Sequence, residues 1–289
     1  MRIAATGTFD GVHLGHRFLL DRLVSLGRER ALEPLVLTFD RHPLSVIRPE
    51  AVPPALTSPA ERRRLLEEAG VRVEVLKFDN DLRRLTGAEF LGMLRERFDV
   101  GAFMFGFNNR IGSDRAGADT PGLSAAAGVE LFAAPECGGL AASSSAIRSA
   151  LAEGDVAAAN AMLGRPYEIE GEIVGGRRLG RTIGFPTANF SVSGDRMLPA
   201  PGVYAGRVLG RPAVVNIGRR PTVEGRYDAP LSVEAHLLGF DGDLYGRVLG
   251  LEFLKRLRGE VKFGSLDELK GAIADDVEET KRFFADAGE

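Results

Sequence analysis

Cysteine occurs once in the 289 residues, as Cys137, so neither an intramolecular disulfide nor a cysteine-based zinc site can form. An excess of either charge is also missing. Thirty-seven Lys and Arg against 40 Asp and Glu leave a net charge of -3, without the basic field that nucleic-acid binding uses. The runs Arg62-Arg63-Arg64 and Arg219-Arg220 are too short to change that, and the first reads as the solvated face of a helix. No apolar run is long enough to cross a bilayer, and Met1 to Ala5 lead straight into a motif rather than forming a charged-then-apolar leader. There is no P-loop pattern, no internal repeat and no low-complexity linker. These absences predict a protein of the reducing cytoplasm with neither membrane nor nucleic acid as partner.

The length predicts two domains, each able to bury its own core. A hydrophobic fraction of 44% and a mean hydropathy of -0.03 fit a globular chain. The first half alternates strand-like runs (2–5, 35–39, 71–76, 102–107 and 129–133) with helical patterns. Leu20, Leu23 and Val24 mark a face of the first helix, Leu65 and Ala69 of the second, and Phe90, Leu91 and Leu94 of the third. This alternation predicts an α/β domain with a parallel sheet covered by helices, and ligands at the carboxyl ends of the strands. Ser58, as N-cap, and Pro59 at N1 open the second helix.

At the first strand end stands Thr6 to His16, TGTFDGVHLGH. His13 and His16 flank Leu14-Gly15 just ahead of an amphipathic helix, where two imidazoles and a helix N-terminus together favour phosphate oxygens. A structural histidine pair is the plainer alternative. Farther on, Ser143-Ser144-Ser145-Ala146-Ile147-Arg148 offers serines to cap a helix and an arginine to reach a triphosphate. By itself it reads first as an ordinary serine cap.

One or two short helices over 151–163 end at Gly164, and the periodicity then changes. Short strand-like runs at 169–174, 203–208, 213–217, 232–238 and 248–253, separated by Gly/Pro turns, predict a small antiparallel barrel. Gly210-Arg211 suits a two-residue hairpin loop. A closing helix runs from Ser265, its N-cap, with Glu268 three residues on. Between the first two runs lies Gly175 to Phe190, GGRRLGRTIGFPTANF. Gly176 and Gly180 free backbone N–H groups to face an anion, and Arg181 adds a charge-assisted bond to phosphate. Thr187 and Asn189 share one face of an extended segment, so a hydroxyl and an amide carbonyl, both hard oxygen ligands, could share one Mg²⁺. Composition alone allows a Gly-rich turn with exposed arginines just as well. In Leu231 to Leu238, LSVEAHLL, the faces divide Val233, Ala235 and Leu237 from Glu234 and His236. Position alone makes Glu234 an exposed strand glutamate.

GxxxGRxxGFPTAN resembles the ATP- and metal-binding segment of riboflavin kinases, and VExHLL followed by Asp243-Leu244-Tyr245-Gly246 is similar to that family's catalytic strand. GxFDGxHxGH with Ser143 to Arg148 resembles the HxGH nucleotidyltransferases. Thr38-Phe39-Asp40 with His42-Pro43, Asn216-Ile217-Gly218 and the stretch 253–258 extend the likeness over nearly the whole chain, to the bifunctional bacterial riboflavin kinase/FAD synthetases. The loop 106–112 departs from that family, with Asn109 and Ile111 where aromatics are usual. The resemblance implies a Rossmann-like FAD synthetase domain over 1–164 and a riboflavin kinase domain over 165–289, the latter a six-stranded barrel with a C-terminal helix. It implies ATP-dependent phosphorylation of riboflavin to FMN, then adenylylation of FMN to FAD with release of pyrophosphate, with Mg²⁺ as cofactor. The catalytic residues it implies are Glu234, His13 and His16. Gly7, Phe9, His13, His16, Asn108, Ser144, Ser145 and Arg148 would bind ATP for adenylylation. Gly176, Gly180, Arg181, Thr187 and Asn189 would bind it for the kinase, with Thr187 and Asn189 on the metal and Glu234 and Arg258 on flavin. Two rival readings remain: a kinase whose first half is inactive or repurposed, and a non-catalytic flavin or nucleotide sensor.

Overall fold

In a computed structural model of the protein, which describes residues 1–107, 109–135, 142–176, 180, 183–219 and 231–288, the apolar runs of the first half pair into one parallel sheet. Its strands are β1 (Arg2–Thr6), β2 (Glu33–Phe39), β3 (Arg72–Leu76), β4 (Val100–Phe105) and β5 (Glu130–Ala133), in the order β3-β2-β1-β4-β5. The helices between them are α1 (Leu14–Arg30), α2 (Leu44–Ile47), α3 (Pro59–Glu67), α4 (Asn80–Arg84), α5 (Gly87–Phe98) and α6 (Leu123–Ala127). Both faces of the sheet are covered. Ile3, Ala5 and Val36 pack with Leu20 and Leu23 of α1 and Leu66 of α3. Ala4, Leu35 and Phe103 pack on the other side with Leu91 and Leu94 of α5. Burial on both faces is why these strands are continuous apolar runs instead of alternating ones. Ser58 caps α3 in a full capping box with Glu61, and Pro59 takes the first helical turn. β4 lies two residues earlier than the sequence pattern predicts, because Gly106 and Phe107 leave the ladder.

By its contacts the chain divides into two units, Met1–Ser143 and Ser144–Glu289. The second comprises α7 (Ser144–Glu153), α8 (Val156–Leu163), β6 (Tyr167–Val174), β7 (Ala188–Ser191), β8 (Gly202–Val208), β9 (Arg211–Arg219), β10 (Leu231–Leu237), β11 (Val248–Arg258) and α9 (Leu266–Asp286). Its six strands close into an antiparallel barrel in the order β10-β7-β6-β11-β8-β9. Alternation puts Ile169, Phe190, Tyr204, Val215, Ile217, Val233, Ala235, Leu251 and Phe253 in the buried interior. The β8–β9 loop is Leu209-Gly210, one residue earlier than the sequence pattern predicts. Both take left-handed backbone (φ 53° and 71°), the geometry of a two-residue loop matched to strand twist.

The barrel's outer face is covered in two places. Val277 of α9 packs on Val203 and Val214, joined by Phe185, Leu238, Leu257 and Ile273. Ser265 caps α9 by accepting the Glu268 N–H at 3.2 Å, while the Glu268 carboxylate accepts from the Gly264 N–H at 2.9 Å and not from its own cap residue. The α7–α8 pair is tied down by Asn160, whose Nδ2 donates to the Phe253 carbonyl (2.8 Å) and whose Oδ1 accepts from the Tyr167 N–H (2.7 Å).

The tightest strand approach in the barrel is at Gly206, where a Cβ would lie 2.5 Å from the Glu252 carbonyl oxygen and 2.8 Å from a Val215 methyl. Gly206→Ala is therefore expected to destabilise the barrel by about 2 kcal/mol, the cost of overpacking against backbone. A urea midpoint unchanged from the parent protein would show that β8 and β11 do not approach this closely.

Candidate active sites

A cleft of about 1150 Å³ opens along the carboxyl ends of all five parallel strands. Thr6 to Phe9 enter it from β1, Phe39 from β2, Phe78 from β3, Gly106 to Ser113 (the described residues of that loop) from β4 and Ala134-Pro135 from β5. β1 is the sheet's centre, flanked by β2 and β4, so the crevice lies where strand order reverses.

The loop after β1 is held in an unusual backbone. Phe9, Gly11 and Val12 have φ of 48°, 83° and 40°. Non-glycine residues rarely adopt this region, and the surroundings must enforce it. Asp10 supplies that constraint. Its buried carboxylate accepts from the Leu56 N–H (3.0 Å), the Thr57 N–H (3.0 Å) and the Thr57 hydroxyl (3.1 Å), and the Thr57 hydroxyl in turn accepts from the Gly11 N–H (3.1 Å). The loop so fixed delivers His13 to the N-terminus of α1, where Nδ1 accepts from the His16 N–H at 3.4 Å. That acceptor role leaves the proton of neutral His13 on Nε2. The two imidazoles stack, with centroids 3.7 Å apart and planes inclined by 21°, and the Phe9 ring meets His16 edge-on at 5.1 Å. A Cβ on Gly15 would stand 3.2 Å from the His13 ring, which explains the glycine between the histidines. Burial, and then the neighbouring His13, push the His16 pKa well below its ordinary 6.5, so this imidazole is neutral at pH 7. The His16 Nδ1 is sealed from solvent and has no hydrogen-bond partner among the described residues.

Of the residues singled out from sequence, Gly7, Phe9, His13 and His16 line this one cleft, together with Ser143. Ser144, Ser145 and Arg148 lie in the first turns of α7, which counts with the second unit. Asn108 lies outside the described residues. Sequence reasoning passed over Asp10, whose role is visible only once the 56–57 segment folds against it. Asn109, noted from sequence only as a departure from the family pattern, donates its Nδ2 to the Thr6 carbonyl at 2.8 Å. Ile111, the other departure from the family pattern, is buried and bridges to Ala116. Arg110 of the same loop is ion-paired with Asp119. Phe39 and Phe78 meet edge-on at 5.1 Å and give the cleft an aromatic wall.

The second constellation is on the outside of the barrel. Glu234 on β10 stands in register between Asn189 on β7 and Asn216 on β9. Thr187 Oγ1 donates to Glu234 Oε2 at 3.2 Å. Asn189 is buried although it faces outward, because the chain at Gly176 covers it. A Cβ there would lie 2.4 Å from its Nδ2. Gly180 accepts the Phe185 N–H at 2.8 Å, and a Cβ on it would stand 2.3 Å from the Phe185 carbonyl oxygen. Arg181 lies outside the described residues. Arg258 is gripped by the buried Asp276 of α9 through two bonds, Nε to Oδ1 (2.9 Å) and Nη2 to Oδ2 (2.8 Å), with its guanidinium 5.7 Å from the Phe263 ring centre. The donors at Thr187 and Asn189 fit a hard divalent cation. With the Thr187 proton directed to Glu234, its oxygen lone pairs face away, and a side chain at 176 would collide with the Asn189 amide, which the glycine avoids.

Known proteins share both halves of this arrangement. An FAD synthetase family model matches residues 1–145, and a riboflavin kinase family model matches residues 163–284. The chain is 40% identical over 295 residues to the bifunctional riboflavin kinase/FMN adenylyltransferase of Escherichia coli strain K12, covering 98% of this chain and 92% of the relative. It is 34% identical over 297 residues to the protein of the same description from Bacillus subtilis strain 168, with coverage of 98% and 92%. A solved structure from Streptococcus pneumoniae, described as a macrolide-efflux protein, superposes with a TM-score of 0.86 at 30% identity, over 97% of this chain and 93% of that one. Among the described residues of the present chain, no helix is long and apolar enough to cross a membrane. The chain belongs to the bifunctional riboflavin kinase/FMN adenylyltransferase family.

Proposed function

We propose that the chain makes FAD from riboflavin in two ATP-dependent steps, with phosphorylation at the Glu234 face of the barrel and adenylylation in the sheet cleft. The observation that carries this reading is the contact of Thr187 with Glu234 beside Asn189, which brings the segment 187–189 and strand β10 together on one outer patch. By function the first domain is residues 1–164 and the second 165–289. The packing boundary at Ser143 and Ser144 is earlier because α7 and α8 rest on the barrel.

A primary hydroxyl is a poor nucleophile until a base takes its proton. Glu234 Oε2 receives the Thr187 hydroxyl and Oε1 turns to the 5′-hydroxyl of riboflavin. As the proton passes to Glu234, the hydroxyl oxygen bonds to the γ-phosphorus of ATP and the bond to the bridging oxygen breaks, giving FMN and ADP. Gly176, Gly180 and Arg181 cradle the phosphates, and Thr187 and Asn189 would hold Mg²⁺. Bound there, the ion would spread the negative charge of the phosphoryl group in transit. Arg258, held by Asp276, is assigned to the flavin.

Adenylylation needs no base, because its nucleophile is already an anion. An FMN phosphate oxygen bonds to the α-phosphorus of ATP and pyrophosphate leaves. The difficulty is bringing two anions together. Gly7 and Phe9 shape the loop, and His13 and His16, stacked at the N-terminus of α1, are assigned to the phosphates. The family resemblance assigns Asn108, Ser144, Ser145 and Arg148 to ATP as well. Substrates are riboflavin, FMN and ATP, and the ATP demand of both steps fits a cytoplasmic enzyme.

Glu234→Gln is expected to abolish FMN formation from riboflavin while sparing FAD formation from supplied FMN, and His16→Ala to do the reverse. Chromatography of the flavins formed with Mg²⁺-ATP checks both. If supplied FMN gave no FAD with the parent protein, the first unit would be silent or repurposed. If neither flavin turned over, a sensor would remain.

His16 also has a stability signature. Its lowered pKa means that, from pH 6.5 downward to the native value, the unfolded chain binds a proton that the folded chain does not. Stability therefore rises with pH across that window and is lost on acidification through it. His16→Asn should flatten the slope of unfolding free energy against pH there. Identical slopes in parent and variant would place His16 in a solvated setting.

A further inference from the structure

We infer that His236 is a positioning residue of the phosphoryl-transfer site, holding the Pro186–Thr187 peptide so that the Thr187 hydroxyl meets Glu234. The inference rests on the assignment of Thr187 and Glu234 to riboflavin phosphorylation made above. His236 Nδ1 lies 2.8 Å from the Pro186 carbonyl oxygen. A carbonyl oxygen only accepts, so the proton of this contact sits on Nδ1.

The backbone shows why a side chain is needed. The β10–β7 register runs Val233↔Phe190, Glu234↔Asn189 and Ala235↔Ala188, and stops there. The β6–β7 register ends one step earlier, at Val174↔Asn189. Pro186 and Thr187 thus lie just beyond both ladders, and proline has no N–H to extend them. His236 is the next residue along β10, and it takes over with its ring where the backbone pairing ends. The carbonyl it grips belongs to the same planar peptide as the Thr187 nitrogen, so fixing that oxygen fixes the plane from which Thr187 projects. The ring also meets Phe185 edge-on at 5.5 Å, and Phe185 is packed in the cluster under α9. Glu234 and His236 lie two apart on one strand face, the first for proton transfer and the second for geometry.

The test is a substitution series at this position in the full chain, reading FMN formation, Mg²⁺-ADP binding by calorimetry, thermal unfolding, and FAD formation from supplied FMN as a control in the other unit. An asparagine amide nitrogen occupies about the place of Nδ1, a glutamine nitrogen that of Nε2, and aspartate can only accept. His236→Asn should keep kcat within about twofold of the parent, whereas His236→Ala and His236→Gln should lose on the order of tenfold or more, and His236→Asp should lose most. The KM for riboflavin should change little, Mg²⁺-ADP affinity should follow the same order, and FAD formation from FMN should be unchanged. Equal activity and nucleotide affinity in the Asn and Gln variants would overturn the inference. So would losses in all four that merely track a lowered melting temperature. Glu234→Gln run alongside separates the two readings. A fully active Glu234→Gln would sink the kinase-site assignment itself, whereas an inactive one beside an indifferent His236 series would sink only the role of His236.

Discussion

A strand that must bury Val233, Ala235 and Leu237 inside a closed barrel has no choice about Glu234 and His236, which must face outward. The site of the second unit follows from this constraint. The register then sets Asn189 and Asn216 on either side of Glu234, and Thr187 reaches it from beyond the end of β7. A six-stranded barrel is too narrow to hold ligand and core together, so the chemistry proposed for it is on the surface, where Gly176, Gly180 and α9 supply walls. α9 does so by packing Val277 on Val203 and Val214 and by gripping Arg258 through Asp276.

The first unit solves a different problem. A parallel sheet covered on both faces can offer ligands only its strand ends, and the loop after the central strand is the natural place for anion binding. Here that loop is forced into left-handed backbone at three positions and locked by one buried carboxylate, Asp10. The stacked histidines then occupy a helix N-terminus, where burial and the neighbouring His13 disfavour the positive charge of His16. A neutral His16 suits a substrate that already carries all the charge the reaction needs.

The two sites therefore differ in kind. One has a carboxylate oriented by a hydroxyl, as a neutral alcohol nucleophile requires. The other, among its described lining residues, has two imidazoles beside a helix N-terminus and no carboxylate, as an anionic nucleophile allows. Asp10, the acid closest in sequence to the histidines, spends its oxygens on the backbone of residues 56 and 57.

Much of this was legible in the residues. Periodicity showed the parallel sheet, the barrel, the caps at Ser58 and Ser265 and the split of faces at Glu234, because local sterics and burial set those patterns. The motifs pointed to His13, His16, Thr187, Asn189 and Glu234. What the pattern misplaced were element ends, among them β4 by two residues, the β8–β9 loop by one and the end of β11 by five, since strand ends are decided by which backbone groups find partners. The parts that escaped it all depend on partners distant in the chain: Asp10 with residues 56 and 57, Asn109 with Thr6, Arg258 with Asp276, and Asn160 with Tyr167 and Phe253. The sequence by itself determined the kinds of chemistry present and the faces that carry them, because residue type and strand alternation are local properties. Only the tertiary structure decided which of those groups meet, because a hydrogen bond between segments tens of residues apart depends on register and packing that no local pattern encodes.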